Sequence, residues 1–253
     1  MLFSPKEYSS LSGLMMPKTE LEYPSRNEII SYLGRYEKHY DFRIERPVQV
    51  QNVEKKDGIF YITTDTGVYQ SHALVSATGN FSGASTPYFE GIEQFKGEQI
   101  HSSEYQNNKP FEKLNVAVVG SGNSGSQILA EVSEVANTHW FTNRPLQYLD
   151  DDLDGRYLFD LSTKRYYASL KGETLENTDD FSKIVMTQSV KEARERGVLI
   201  KEEDIIRFTE DSIITKNKTV PIDAIIWCTG FKTQLDHLPV SYTHLRAHET
   251  HEN

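Results

Sequence analysis

Cysteine is almost absent from this sequence: Cys228 is the one thiol in 253 residues. A single thiol excludes an internal disulfide and a dithiol redox pair of the CxxC kind, since both need two sulfurs within reach. Long apolar runs are also missing, so no stretch has the length of a membrane span. The opening residues lack the charged-then-apolar layout of a secretory signal. Together these absences predict a cytoplasmic protein with no membrane partner. Cations are few: 27 Lys and Arg against 37 Asp and Glu leave a net charge of −10. They are scattered rather than clustered, which argues against a nucleic acid partner. What remains is 37% hydrophobic and 25% charged, an ordinary globular composition with core enough for one large or two modest domains. A small molecule is the expected partner.

Periodicity predicts a helix over residues 26–40, where Ile29, Ile30, Leu33 and Tyr36 recur at helical spacing behind Pro24 and the capping candidate Ser25. Val48–Val53 and Ile59–Thr63, separated by Lys55-Lys-Asp-Gly58, read as a hairpin. Ala73–Ala77 reads as a short buried strand ending at Thr78 and Gly79. Between Asn80 and Lys113 periodicity is lost and Gly, Pro and aromatics increase, as in a connection between packed units. Val116–Val119 is an all-apolar strand, followed by a glycine cluster, a helix through Ile128, Leu129 and Val132, and a second strand at His139–Thr142. Val185–Gly197 is helical in part, and Ala224–Trp227 is another buried strand, ending at Thr229 and Gly230.

The glycine cluster, Gly120-Ser121-Gly122-Asn123-Ser124-Gly125, is a GxGxxG. Gly120 permits a tight turn, Gly122 lets the backbone approach a pyrophosphate, and Gly125 lets the helix pack closely on its strand. Amides at the helix start then face the phosphates. Strand, glycine turn and helix arrive in the order of a dinucleotide-binding unit. At the end of the second strand an NAD site usually offers Asp or Glu to the ribose. Here the residues are Thr142-Asn-Arg144, and an arginine suits the extra phosphate of NADPH instead.

Upstream lies Phe95-Lys-Gly97-Glu-Gln-Ile-His101-Ser102-Ser-Glu-Tyr105. On this FxGxxxHxxxY pattern, set ahead of a GxGxxG, the sequence resembles the flavin-containing monooxygenases. Ala77-Thr78-Gly79 and Cys228-Thr229-Gly230-Phe231 are similar to that family's ATG and TGF crossings, where the chain passes between two domains. Asp152–Phe159 and Val190–Leu199 resemble small bacterial members found with arsenic-resistance genes. The resemblance implies two cofactors, FAD and NADPH. It adds Thr78, Gly79, His101, Ser102, Thr229 and Gly230 to the cofactor-binding residues, and it implies hydride transfer from NADPH to FAD. Oxygen from O2 would then pass through a hydroperoxyflavin to a small soft-nucleophile or carbonyl substrate. No side-chain nucleophile is nominated, because in such enzymes the cofactor carries the difficult chemistry.

The fold class implied is α/β, a Rossmann-like NADPH domain inserted into a partial FAD-binding domain. The expected divisions are 1–108 for the partial FAD domain and linker, without its first βαβ unit, 109–219 for the NADP domain, and 220–239 for the return. Residues 240–253 read like translated adapter sequence and are expected to be a non-native tail. His244, His248 and His251 within it are therefore not taken as metal ligands. A flavin disulfide reductase is discounted for want of a second cysteine. A noncatalytic NADPH-binding, redox-sensing module, or a flavin reductase without oxygen transfer, stays open as an alternative.

Overall fold

The computed structural model describes residues 6, 9–18, 24–153, 155–173 and 179–238. The tail and its three histidines lie outside this set. Two compact units are formed, one running to Val75 with a return at Asp236, the other Ser76–Leu235.

In the first unit, α1 (Arg26–His39) begins at a reciprocal cap. Ser25 Oγ accepts from the Glu28 amide at 3.3 Å, and a Glu28 carboxylate oxygen accepts from the Ser25 amide at 2.7 Å. Two orphan amides are thereby satisfied. The buried Tyr32 hydroxyl accepts from the Leu11 amide at 2.6 Å and donates to the Leu14 carbonyl at 2.7 Å, fixing the preceding turn on the helix. An antiparallel meander follows: β1 (Val50–Lys56), β2 (Ile59–Thr64) and β3 (Val68–Ser71). Asp57 and Gly58 connect the first two with φ of 51° and 82°, the left-handed pair that a two-residue hairpin needs.

The strand expected at Ala73–Ala77 is not formed. The sheet's third strand lies earlier, at β3, where Val68–Ser71 can pair with β2 directly after the Gly67 turn. Residues 73–77 have no such partner among the described residues, and Val75 is 88% exposed. Short apolar composition alone did not indicate burial there.

The second unit is built on four parallel strands in the order β4 (Glu98–His101), β10 (Ala224–Trp227), β5 (Asn115–Val119), β6 (Asn137–Phe141). Between β5 and β6 runs α2 (Asn123–Val132). The long path from β6 to β10 contains α3 (Gly155–Leu170), α4 (Gln188–Glu195) and a small antiparallel sheet, β7 (Arg207–Phe208), β8 (Ser212–Ile214) and β9 (Thr219–Pro221). The central strands are apolar on both faces because both faces are covered. Val116, Val118, Ala224, Ile226 and Trp140 point to one core with Leu129 and Val132 of α2 and Val190 and Ala193 of α4. Ala117, Val119, Ile225, Trp227 and Phe141 point to the other, with Phe208, Ile213 and Val220 of the small sheet.

The α/β class with a parallel sheet was legible from sequence. The two compact units divide at Val75 and at Asp236. Ala224–Trp227 stays in the second unit because a wholly buried strand needs neighbours on both edges, and β4 and β5 supply them. Within the stretch Asp152–Phe159, α3 begins at Gly155.

Candidate functional site

Parallel pairing brings four strand ends onto one row: His101 beside Trp227, Trp227 beside Val119, and Val119 beside Phe141. Immediately beyond that row come Ser102, Thr229-Gly230, the Gly120–Gly125 turn and Thr142–Arg144. Residues from four separate stretches of sequence thus share the carboxyl edge of one sheet, where open α/β sheets place ligands.

The three glycines have three different physical reasons. Gly120 has φ +139°, and a Cβ there would lie 2.1 Å from the Cys228 carbonyl oxygen. On Gly125 a Cβ would lie 2.5 Å from the Gly120 carbonyl oxygen, so side-chain-free backbone lets α2 sit against the turn. Gly122 has nothing within 4 Å, which leaves its face open to a ligand. It is also the N-cap of α2, and no side chain caps that first turn. An uncapped, open helix start offers free amides and the positive end of the helix dipole to an anion. Ser121 is half-buried and Ser124 exposed. The Asn123 side chain is already committed, since its Oδ1 accepts from the Val185 amide at 2.7 Å. Arg144 is exposed beside this edge, in a turn closed by Thr142 Oγ1 donating to the Arg144 carbonyl at 2.8 Å.

The two crossing segments meet. Ser85 N–H donates to the Gly230 carbonyl at 3.1 Å, Thr229 Oγ1 donates to the Ser85 carbonyl, and Lys232 N–H donates to the Gly83 carbonyl at 2.7 Å. Phe81 stacks on Phe231 with ring centroids 5.4 Å apart. Thr78 and Gly79 lead into this strap in exposed, irregular chain, with Gly79 at φ +63° and open space where a Cβ would stand. They do not close a buried strand as expected. Gly230, at φ +80°, does follow one.

His101 fastens the strap to the sheet. The ring is buried, its Nε2–H donates to the Gly230 carbonyl at 3.1 Å, and its Nδ1 accepts from the Ser103 amide at 3.2 Å. Both nitrogens are satisfied in the neutral tautomer, and burial holds its pKa below the ordinary value. Ser102 N–H donates to the Trp227 carbonyl at 2.8 Å. The other members of the FxGxxxHxxxY pattern also pack. Phe95 lies against Phe208, Gly97 leaves room for the Asp223 carbonyl oxygen, 2.3 Å from a notional Cβ, and Tyr105 stacks on Phe111. The Tyr105 hydroxyl is buried, and burial pushes its pKa up. Ser85 and Ser103, the partners of this joint, carried no signal in the sequence. Ser85 meets Gly230 across 145 positions, and no local pattern marks such a contact.

Two surface cavities, of about 370 and 360 Å³, lie elsewhere, one lined by His139, Glu202 and Lys218, the other by Tyr88, Ile92 and Trp227. The glycine turn lines neither, being an open cradle rather than an enclosed hole.

A glycine-turned parallel sheet with an uncapped helix start at its carboxyl edge is the arrangement of the dinucleotide-binding class of α/β folds. The sequence profile of the pyridine nucleotide-disulphide oxidoreductases matches residues 6–252. The chain is 38% identical to a solved flavin-containing monooxygenase from Stenotrophomonas maltophilia, with a TM-score of 0.79 over 94% of this chain and 67% of that one. It is 32% identical over 240 residues to the uncharacterised oxidoreductase CzcO of Bacillus subtilis (strain 168), covering 92% of this chain and 69% of that protein. With a probable indole-3-pyruvate monooxygenase, YUCCA4 of Arabidopsis thaliana, it shares 30% identity over 195 residues, 70% of this chain and 47% of the relative. The chain belongs to the pyridine nucleotide-disulphide oxidoreductase family, in its flavin-containing monooxygenase branch.

It is accordingly an oxidoreductase of the flavin monooxygenase type, whose family implies a flavin and a nicotinamide nucleotide, a small-molecule substrate and oxygen. Disulphide chemistry has no second thiol in this sequence, and burial pushes Cys228 up to about 12. No described helix is long and apolar enough to cross a membrane.

Two outcomes follow for stability. Gly125→Ala drives a methyl into backbone and is expected to cost about 1–3 kcal/mol, whereas Gly122→Ala meets no atom and should cost only about 0.5–1 kcal/mol, for a poorer N-cap; urea denaturation of both variants checks the difference. For His101 the folded pKa is depressed, so its contribution is complete above the ordinary 6.5 and is lost as pH falls through the lower native value. His101→Gln should flatten that part of the stability–pH curve, and an unchanged slope would contradict a buried neutral ring.

Proposed function

We propose that this chain serves an NADPH- and FAD-dependent monooxygenase, with the nicotinamide nucleotide held on the carboxyl edge of the β4–β10–β5–β6 sheet. The observation that carries the reading is the open, uncapped start of α2 behind three glycines with separate steric roles. Amides from Ser121 to Gly125 would hold the pyrophosphate, Gly122 allowing the closest approach. Arg144, with no ion pair among the described residues, would take the additional phosphate through its planar fork of donors. Thr78, Gly79, Thr229 and Gly230, together with His101 and Ser102, are assigned to the flavin side, where Gly79 has the left-handed backbone and free space that close contact requires. When bound, the two cofactors supply hydride transfer and oxygen activation, for delivery of one oxygen atom to a soft nucleophile or a carbonyl in a small substrate. The neutral His101 ring orients the Gly230 carbonyl and moves no proton. Asn123, held by Val185, supports the turn and leaves the phosphates to its main-chain neighbours.

The test is to purify the chain extended upstream by the FAD-anchoring βαβ unit that the family resemblance implies, supply FAD, and measure substrate-stimulated NADPH oxidation together with oxygen uptake. Coupled consumption is the expected result. NADPH binding with no flavin-dependent oxidation would favour a noncatalytic nucleotide-binding module instead. Arg144→Ala is expected to weaken NADPH by about tenfold or more while leaving NADH nearly unchanged; equal losses measured by titration calorimetry would remove the arginine from phosphate recognition.

A further inference from the structure

Beneath the glycine turn lies a buried polar group to which the nucleotide reading gives no role. Trp140 of β6 is 1% exposed, and its indole Nε1–H donates to the Gly120 carbonyl at 2.7 Å. That carbonyl is the one against which α2 packs at Gly125. A peptide unit is planar and trans, so its C=O and N–H point to opposite sides. Holding the Gly120 oxygen inward therefore holds the next amide, that of Ser121, outward, on the open side where Gly122 has no neighbour within 4 Å.

The Gly120 amide donates to the Phe141 carbonyl at 2.9 Å, which fixes the preceding peptide; among the described residues the hydrogen bond to the Gly120 carbonyl comes from the indole. Gly120 is a glycine at φ +139°, in a region where rotation about the adjoining bonds carries little steric penalty for a residue without Cβ. Were the peptide between Gly120 and Ser121 to turn over, it would aim a carbonyl oxygen at a diphosphate, and a donor would become a repulsive acceptor. The indole is placed to prevent this. The chain's second tryptophan provides the contrast. Trp227, on β10 of the same sheet and just as buried, gives its Nε1–H to the Gln99 side chain at 3.1 Å and makes no bond to the glycine turn.

We infer that Trp140 is a positioning residue of the nucleotide cradle: by holding the Gly120 carbonyl from below, its indole N–H keeps the Ser121 amide presented as an anion donor. This rests on the nucleotide site proposed above. It also makes the residue one place before the end of β6 part of the cradle, although its side chain touches no ligand.

The test replaces Trp140 in the full chain by β-(3-benzothienyl)alanine, which keeps the bicyclic shape and exchanges the N–H for sulfur, with Trp140→Phe as a second variant and Trp227→Phe as a core control. Equilibrium dissociation constants for NADPH and the thermal midpoint are measured for each. The expected result is an NADPH Kd raised by about tenfold or more in both position-140 variants, with the benzothienyl protein melting close to the parent and Trp227→Phe keeping the parent Kd. An unchanged Kd in folded position-140 variants overturns the inference, as does an equal loss in Trp227→Phe, which would mark a general effect of core damage. Failure of the unmodified chain to bind NADPH would instead overturn the nucleotide site itself, and the inference with it. Should the variants not fold, the unmodified 15N-labelled chain decides: a downfield shift of the Ser121 amide on adding NADPH supports the inference, and its absence refutes it.

Discussion

At the centre of the second unit two backbones run closer together than side chains allow. Cys228 N–H donates to the Val119 carbonyl at 2.7 Å, and one residue later the Cys228 carbonyl lies where a Cβ of Gly120 would be. Only a glycine can leave β5 at that point without pushing β10 aside. Because it does, β10 stays in register between β4 and β5, and all four strands end on the same row. The turn, the strap at Gly230 and the loop carrying Arg144 are brought together by that one close approach. The arrangement is thus a consequence of how the sheet ends, and packing demands Gly120 and Gly125 but makes no demand at Gly122.

This helps to explain how the family pattern around His101 behaves. Phe95, Gly97, His101 and Tyr105 each settle a packing or hydrogen-bonding demand, and none is left as a free acid or base. A buried neutral histidine with both nitrogens occupied is a poor proton carrier and a good fastener. It ties β4 to Gly230 across the end of β10, and so couples the pattern upstream of the glycine turn to the strap downstream of it. Sequence motifs often mark such joints because no other residue type satisfies two distant main-chain partners in one buried position.

What could be read from the sequence was whatever depended on near neighbours. The capped helix after Pro24, the hairpin at Asp57-Gly58, and the strand, glycine turn and helix from Val116 to Val132 all follow from local spacing. Apolar runs told strand from surface where both faces were covered, as at Ala224–Trp227, and misled at Ala73–Ala77, where no partner strand was in reach. β4 was hidden because Glu-Gln-Ile-His has neither an apolar run nor clean alternation; its pairing with β10 creates it. The small sheet β7–β9 that covers one face was likewise invisible, since its strands are two or three residues long. Among the supports of the glycine turn and the strap, Ser85 and Trp140 act through contacts between separate segments, which local spacing does not mark, and Ser103 acts on His101 two residues away.

The shared row of strand ends bears on how such a protein can change over time. An insertion of one residue in β10 would shift Thr229 and Gly230 together and turn each buried side chain of that strand to the opposite core. The glycine turn and the strap would lose alignment in one event. Length variation should therefore be borne by the long excursion between β6 and β10, which contributes a covering layer and touches the glycine turn through Val185. That excursion can lengthen or shorten, while the terminal row of the sheet is held to a fixed length.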